Sequence, residues 1–290
     1  MALTSSTALA RISLTTANAQ ALAGFYEKAL GFTQTGNSTM EATLYGMSGS
    51  QAEVITLCLG EQSIELVQFS QPGAPYPANP ASYDPWFQHF AVVVTDINAA
   101  YQQIQSVGGA TTISQDPPVT LPVSSGGITA IKLRDPEMHP FELIQFPANA
   151  VPAQWAGVAP QNGGVALGID HSAIVVSNTA ASVNFYADLG FSVSTSTLNQ
   201  GAEQDQLDDA TGAVVQVTAM SPAQSTPHVE LLCYSAPTAA APITVAPNDI
   251  AATRLVVTAA TQPSMLGTML DPDGHRVTLV ELLGWGQPGS

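Results

Sequence analysis

The sequence predicts an α+β protein assembled from tandem strand-helix-three-strand modules, four units in all, with the last shortened. Three internal echoes carry this. A helix end, Phe25-Tyr26-Glu27-Lys28-Ala29-Leu30-Gly31-Phe32, recurs as Phe185-Tyr186-Ala187-Asp188-Leu189-Gly190-Phe191, one residue shorter. A buried-strand pattern opening on histidine, Gln88-His89-Phe90-Ala91-Val92-Val93-Val94, recurs as Asp170-His171-Ser172-Ala173-Ile174-Val175-Val176. A strand, Asp-Pro turn and strand around Asp135-Pro136 recurs around Asp271-Pro272.

Taken in order, the first unit (roughly 8–70) starts with a strand over Ala10–Thr15. A helix follows with Leu22, Phe25, Tyr26, Ala29 and Leu30 on one stripe and Gly31 as its stop. The second unit (86–147) starts with the His89 strand. Its helix runs from Asp96, a residue type that caps helix N-termini, to Val107. The stripe is Ile97, Tyr101 and Ile104, and Gly108-Gly109 ends it. The third unit (168–235) repeats the design with His171, a helix striped by Ala180, Val183, Tyr186 and Leu189, and Gly190. Arg11 to Phe25 and His171 to Phe185 are both 14 residues, so Arg11 corresponds to His171. In the fourth unit (250–284) Arg254 takes the place of His89. His89 to Asp135 spans 46 residues but Arg254 to Asp271 only 17, so about a helix and a strand are missing. The Pro-, Ala- and Gly-rich linker 147–168 divides the chain into halves, 1–147 and 168–290. A Pro-rich connection, Gln71–Pro85, joins the first two units.

The chain has 290 residues with ordinary hydrophobic content, enough for a sizeable core. Six Lys and Arg against 22 Asp and Glu give a formal charge of −16. Such a surface repels nucleic acid and anionic lipid, which excludes both as principal partners. No run approaches the ~18 apolar residues of a membrane helix. The start, Met1-Ala2-Leu3-Thr4-Ser5-Ser6, lacks the charged and then apolar pattern of a signal peptide. The scarcity of lysine beside abundant Thr, Ser, Gln and Asn suits a periplasmic protein as well as a cytoplasmic one. Cys58 and Cys233 each sit in a strand-like run and read as buried structural thiols; two distant cysteines make no disulfide framework.

Two strands of one design, each opening with histidine, suggest two halves of one metal cleft. Together with the Phe-Tyr…Leu-Gly-Phe helix ends and the Asp-Pro-…-His turns, they make the chain resemble the vicinal oxygen chelate superfamily of glyoxalases, bleomycin resistance proteins and extradiol dioxygenases. The resemblance spans nearly the whole sequence. It implies a glyoxalase-like fold with two curled mixed sheets and a divalent metal in the cleft. It further implies ligands from a His or Gln on a unit's first strand and a Glu on its last. Carried over, these positions are Arg11 and Glu65, His89 and Glu142, His171 and Glu230, and Arg254 and Thr278. Only units two and three match fully. Pairing unit two with unit three gathers His89, Glu142, His171 and Glu230 into one site and leaves Arg11, Glu65, Arg254 and Thr278 in the other cleft. Pairing neighbours within each half would put an arginine, which repels a cation, into both clefts. Arg11, Glu65 and Arg254 then read as a buried ion network.

Two imidazoles and two carboxylates suit Zn, Ni, Co, Fe or Mn. The resemblance implies a metal-dependent glyoxalase- or dioxygenase-type enzyme, a lyase, isomerase or dioxygenase, acting on a small oxygen-chelating substrate by enolisation, isomerisation or ring cleavage. Glu142, Glu230 and His228 are the catalytic candidates. His228 precedes Glu230 by two and shares its strand face, either as an acid/base in the cleft or as a residue at its rim. By alternation Asp170 points away from His171. Lys132, Arg134 and Arg276 read as remote, so a weakly charged substrate such as a vicinal diol, α-hydroxycarbonyl or catechol is expected. The alternative is a non-catalytic small-molecule binding protein on the same fold, and monomer and homodimer both remain open.

Overall fold

Unit one runs β1 (Ala8–Thr15), α1 (Ala19–Leu30), β2 (Thr33–Glu41), β3 (Gln51–Leu59) and β4 (Gln62–Phe69). Unit two runs β5 (Gln88–Val94), α2 (Ile97–Val107), the short β6 (Thr111–Thr112) and β7 (Val119–Thr120), then β8 (Thr129–Arg134) and β9 (Pro140–Gln145). Unit three runs β10 (Ala166–Val175), α3 (Thr179–Asp188), β11 (Ser192–Gln200), α4 (Ala202–Asp208), β12 (Val214–Ser221) and β13 (His228–Ala236). Unit four contributes β14 (Arg254–Ala259), β15 (Gly267–Leu270) and β16 (Arg276–Glu281). This is a computed structural model, and it describes residues 7–223, 226–259 and 266–281. The Met1–Ser6 segment read for a leader lies outside the described residues, as do the last residues of unit four.

The three long helices start alike. Asn18, Asp96 and Asn178 each accept a backbone N–H three residues on, from Ala21, Ala99 and Ala181 at 3.0–3.1 Å. Each thereby satisfies a donor that the first turn leaves without a partner. Gly31 ends α1 in the left-handed region, φ 76°, which glycine enters without a Cβ clash.

Two sheets result. One has the order β15-β16-β14-β1-β4-β3-β2, built from units one and four; the other has β11-β12-β13-β10-β5-β9-β8-β6, with β7 beside β8, built from units two and three. The first strands of paired units meet antiparallel at each sheet's centre, β1 with β14 and β5 with β10. Each first strand then pairs in parallel with its own unit's last strand. The four registers are equivalent: Ser13 with Glu65, Ala91 with Glu142, Ala173 with Glu230 and Val256 with Thr278. Because side chains two apart share a face, Arg11, His89, His171 and Arg254 stand on the concave side with those partners.

The opposite faces carry the apolar core. Ile12, Leu14, Phe90, Val92, Phe141 and Leu143 pack with the stripes of α1 and α2. Ile174, Tyr186, Leu231, Leu255 and Val277 form a second cluster around α3. Fully burying a side chain of this size contributes about 1.5–3 kcal/mol, so these two layers fix the sheets from behind while the polar faces curl inward. Cys58 and Cys233 are free and only half-buried, not the buried thiols expected.

Candidate metal centre

His89 leaves β5 and Glu142 leaves β9 on the same concave face, and His171 arrives from β10 across the central joint. Their ligand atoms lie within 4.8 Å of one another, and all three residues are buried. Glu142 Oε2 is 3.3 Å from His89 Nε2 and 3.6 Å from His171 Nε2. Glu230 Oε2, on β13, is 3.5 Å from the same His171 nitrogen, and Glu230 keeps 23 % of its side chain exposed. His228 lies beyond, its Nε2 3.6 Å from Glu230 Oε1 and its ring 5.3 Å from that of His171. The structure therefore brings all five sequence-predicted residues, His89, Glu142, His171, Glu230 and His228, to one cluster.

Its electrostatics follow from burial and from the charges packed together. Burial pushes His89 below its usual pKa, with Glu142 opposing. Burial pulls the same way on His171, but Glu230, Asp170 and Glu142 together raise it well above the usual value. Burial disfavours the Glu142 carboxylate, yet His171 and His89 hold its pKa far below the usual range. Three buried ring nitrogens, both of His89 and Nε2 of His171, nevertheless make no hydrogen bond. Leaving them so is costly, and ligands about 2.1 Å from one metal sit about 3.0–3.4 Å apart. The contacts of 3.3–3.6 Å are close to that spacing, so the donor set fits a divalent cation.

A family model described as the Glyoxalase/Bleomycin resistance protein/Dioxygenase superfamily matches residues 8–143 and 168–279. The chain belongs to this superfamily. Among solved structures it is similar to glyoxalase I from Zea mays, at 15 % identity and a TM-score of 0.58, covering 95 % of this chain and 92 % of that one. A point mutant of the maize enzyme matches at 14 % identity and 0.59, covering 95 % and 94 %. A candidate dioxygenase from Bacillus subtilis matches at 9 % identity and 0.56, covering 95 % and 85 %. No curated protein sequence matches the chain. At these identities the solved structures share the glyoxalase-like fold, an α+β arrangement with repeated modules and two open mixed sheets.

The superfamily fold gives this chain a second cleft, between units one and four, and arginine fills it. Arg11 Nε donates to Glu65 Oε2. Arg254, fully buried, lies over the rings of Tyr45 and Phe69 at 5.3 and 5.5 Å. It donates to Thr15 Oγ1 at 2.9 Å, to Ala252 O at 2.8 Å and to Pro247 O. The expected ion network is thus an Arg11–Glu65 pair beside an arginine held by aromatic faces and backbone carbonyls. Tyr45 comes from a 3₁₀ turn, Ala42–Tyr45, that follows β2.

Three features of the first cleft depart from the sequence reading. Asp170 does not point away: its Oδ2 is 3.0 Å from His171 Nδ1. The pairing of β10 with β5 skips from Ile169 opposite Val92 to His171 opposite Ala91, so Asp170 is the extra residue of a β-bulge and alternation fails there. Lys132 is not remote: it pairs across the sheet with Glu142 and is buried. Its Nζ is 2.6 Å from Asp208 Oδ1. Asp208 ends α4, a helix the sequence reading did not anticipate. That helix fastens unit three across unit two: Ser114 Oγ donates to Leu207 O at 2.7 Å and Gln206 Nε2 to Pro117 O at 2.8 Å. The only advance signal was the Glu203-to-Asp209 run of acidic and amide residues between strands.

His139 and His275, the histidines of the two Asp-Pro turns, make matched contacts. Their Nε2 atoms meet the carbonyls of Thr15 and Val175 at 2.8 and 2.7 Å. No helix among the described residues is long and apolar enough to cross a membrane.

Proposed function

We propose that the chain is a divalent-metal-dependent enzyme that acts on a small oxygen-chelating substrate by enolisation, isomerisation or ring cleavage. The observation behind this is the convergence of His89, Glu142 and His171 on one buried point, with three ring nitrogens lacking partners. His89, Glu142, His171 and Glu230 would hold the metal, and Zn, Ni, Co, Fe and Mn all suit that donor set. Bound there, the cation supplies Lewis-acid polarisation of paired substrate oxygens. The four residues come from units two and three, so neither half of the chain, 1–147 or 168–290, would complete the site alone.

The protein's own groups divide the remaining work. Glu142 is enclosed by two histidines and serves to hold. Glu230 is the most exposed carboxylate of the set and is placed to take a proton from a substrate C–H or O–H. His228, 3.6 Å behind it, passes that proton on. The basic residue of this cleft, Lys132, is committed to Asp208, which leaves no ready partner for a substrate carboxylate and supports a weakly charged ligand.

Metal analysis of purified protein after loading with each of the five ions tests the reading: about one ion per chain is expected, lost in His89→Ala and His171→Ala. Oxygen uptake with a catechol, set against isomerisation of a hemithioacetal, then separates the two reaction classes. Failure to take up any ion would leave a non-catalytic binding protein on the same fold.

A further inference from the structure

Asp170 makes bonds that the proposed centre does not account for. The bulge at Asp170 turns its carboxylate into the cleft, where both oxygens are used. Oδ2 faces His171 Nδ1 at 3.0 Å and lies 3.8 Å from His228 Nδ1. Oδ1 accepts from Trp155 Nε1 at 2.6 Å. Trp155 is 4 % exposed and Asp170 5 %. Trp155 belongs to the linker between the halves, in a turn well before β10, yet its ring reaches the back of the site. Gly168 makes room for it: a Cβ there would meet two ring carbons of Trp155 at 2.9 Å and Gln62 Oε1 closer still.

We propose that Asp170, clamped by Trp155, is a positioning residue that keeps the proton of His171 on Nδ1 and presents Nε2 as a metal donor. The inference rests on the metal-dependent reading of the site. Its physical basis is that an imidazole has two nitrogens, and whichever donates to a fixed acceptor leaves the other free to ligate. His171 Nε2 is the nitrogen that faces Glu142 and Glu230, at 3.6 and 3.5 Å, and it makes no hydrogen bond. A carboxylate at 3.0 Å on Nδ1 holds the ring in that orientation and strengthens Nε2 as a donor. His89 is different: its Nδ1 has no partner, so the two histidines are unequal ligands and His171 is the pre-set one.

Asp170, His171 and His228 also each offer one ligand atom within 4.8 Å of the others', which raises a second cation position. The 3.0 Å contact between Asp170 and His171 is hydrogen-bond length, and one ring would have to serve two metals through both nitrogens. The geometry favours the hydrogen bond.

The test uses the full chain titrated with Zn²⁺ against a chromophoric chelator, with ring ¹⁵N spectra of the Zn²⁺-loaded protein. Wild type should bind one Zn²⁺ per chain and show His171 Nδ1 protonated. Asp170→Asn should keep one Zn²⁺ but weaken it about 10–100-fold and alter the His171 Nδ1 signal, with far-UV circular dichroism unchanged. Trp155→Phe, which frees Asp170 without removing it, should weaken Zn²⁺ less than Asp170→Asn. Should wild type bind neither Zn²⁺ nor any of the other four ions, the metal reading itself fails. Zn²⁺ bound equally by wild type and Asp170→Asn would overturn the positioning role and leave the metal site standing. Two Zn²⁺ per wild-type chain, falling to one in Asp170→Asn, would make Asp170 a ligand and overturn the proposal too.

Discussion

Lys132 Nζ and Asp208 Oδ1 lie 2.6 Å apart inside the protein, one on β8 of unit two and the other at the end of α4 in unit three. Asp208 also takes Gln204 Nε2 at 2.7 Å and Tyr234 OH at 2.9 Å, and its backbone carbonyl takes Ser82 Oγ at 2.5 Å. Four segments distant in sequence therefore meet on one residue. The ammonium lies 5.8 Å over the Phe87 ring, within Coulomb range of Glu142 and Glu230. Burial works against the Lys132 charge, and Asp208 and Glu142 more than restore it, so its pKa is raised.

Breaking that pair strands a buried charge. Asp208→Ala should destabilise the protein by about 3–5 kcal/mol, read as a lower urea midpoint. Lys132→Met with Asp208→Leu together should recover much of the loss, because two apolar groups need no partner. A double variant no more stable than Asp208→Ala would place the effect in α4 packing instead.

A second prediction concerns pH. Asp135 Oδ2 accepts from Tyr26 OH and faces His139 Nδ1, both at 2.8 Å, while Oδ1 takes the backbone N–H groups of Glu137 and His139. Tyr76 packs its ring against His139, with Arg134 over that ring. Burial lowers the His139 pKa, but Asp135 and then Glu137 outweigh it and the net shift is upward from 6.5. A group whose folded pKa is raised contributes its full stabilisation below its unfolded pKa, near 6.5, and loses it as pH rises through the folded value. The stability difference between wild type and His139→Gln should therefore be largest in acid and shrink above pH about 6.5. Urea unfolding at several pH values measures it. A difference constant from about pH 5 to about pH 9 would mean that the ring is neutral throughout.

How much of this was legible in the sequence depends on how local the cause is. The helix stop at Gly31 and the cap at Asp96 are local and were read, whereas the caps at Asn18 and Asn178 were not; the fourfold register follows from a repeat whose spacing can be counted. That spacing aligned the units, and the family resemblance then pointed to His89, Glu142, His171 and Glu230 as one set. Asp170 was misread because strand alternation assumes an unbroken ladder, and a bulge of one residue reverses it. Lys132 was misread because its partner lies 76 residues away on a helix of about two turns. Such a short helix has no apolar stripe to announce it. Arg254 was readable as a residue that spoils a metal cleft, but not as one stacked on Tyr45 and Phe69, since those rings come from another unit.

The two clefts predict opposite outcomes for the same substitution. Glu65→Gln and Glu142→Gln change equivalent register positions. Glu65→Gln removes the charged acceptor of Arg11 and should destabilise the fold by about 3–5 kcal/mol while leaving bound metal at the wild-type level. Glu142→Gln should lower metal content in the same assay. Metal loss in Glu65→Gln, with the protein still folded by circular dichroism, would move the site to the other cleft.

Within the proposed centre, Glu142 and Glu230 should separate by role. Glu142 touches both histidines and Glu230 only His171 and His228. Glu142→Gln should therefore cost more metal affinity, and Glu230→Gln should cost more turnover per bound metal. General acid–base groups contribute about 10²–10⁴-fold, so kcat for Glu230→Gln at full metal occupancy should fall by a factor in that range. Equal affinity losses with turnover per metal intact would make Glu230 a ligand alone.

Gly168 supplies the last prediction, because it couples the linker to the site without touching either histidine. It needs no positive φ; what it needs is space. A methyl group there would lie 2.9 Å from the Trp155 ring and nearer still to Gln62 Oε1, which also accepts from Ile169 N at 3.3 Å. Gln62 can swing aside at the cost of that bond, but the ring belongs to a packed apolar cluster with Leu167 and Ala91. Gly168→Ala should destabilise by about 1–3 kcal/mol as an overpacking change. It should also shift the Trp155 indole N–H resonance as the bond to Asp170 lengthens. If Trp155 holds Asp170 in place, metal affinity falls in the same variant, although the altered residue lies outside the bulge. An unshifted indole signal with normal affinity would mean that Gln62 absorbs the whole clash and the linker does not bear on the centre.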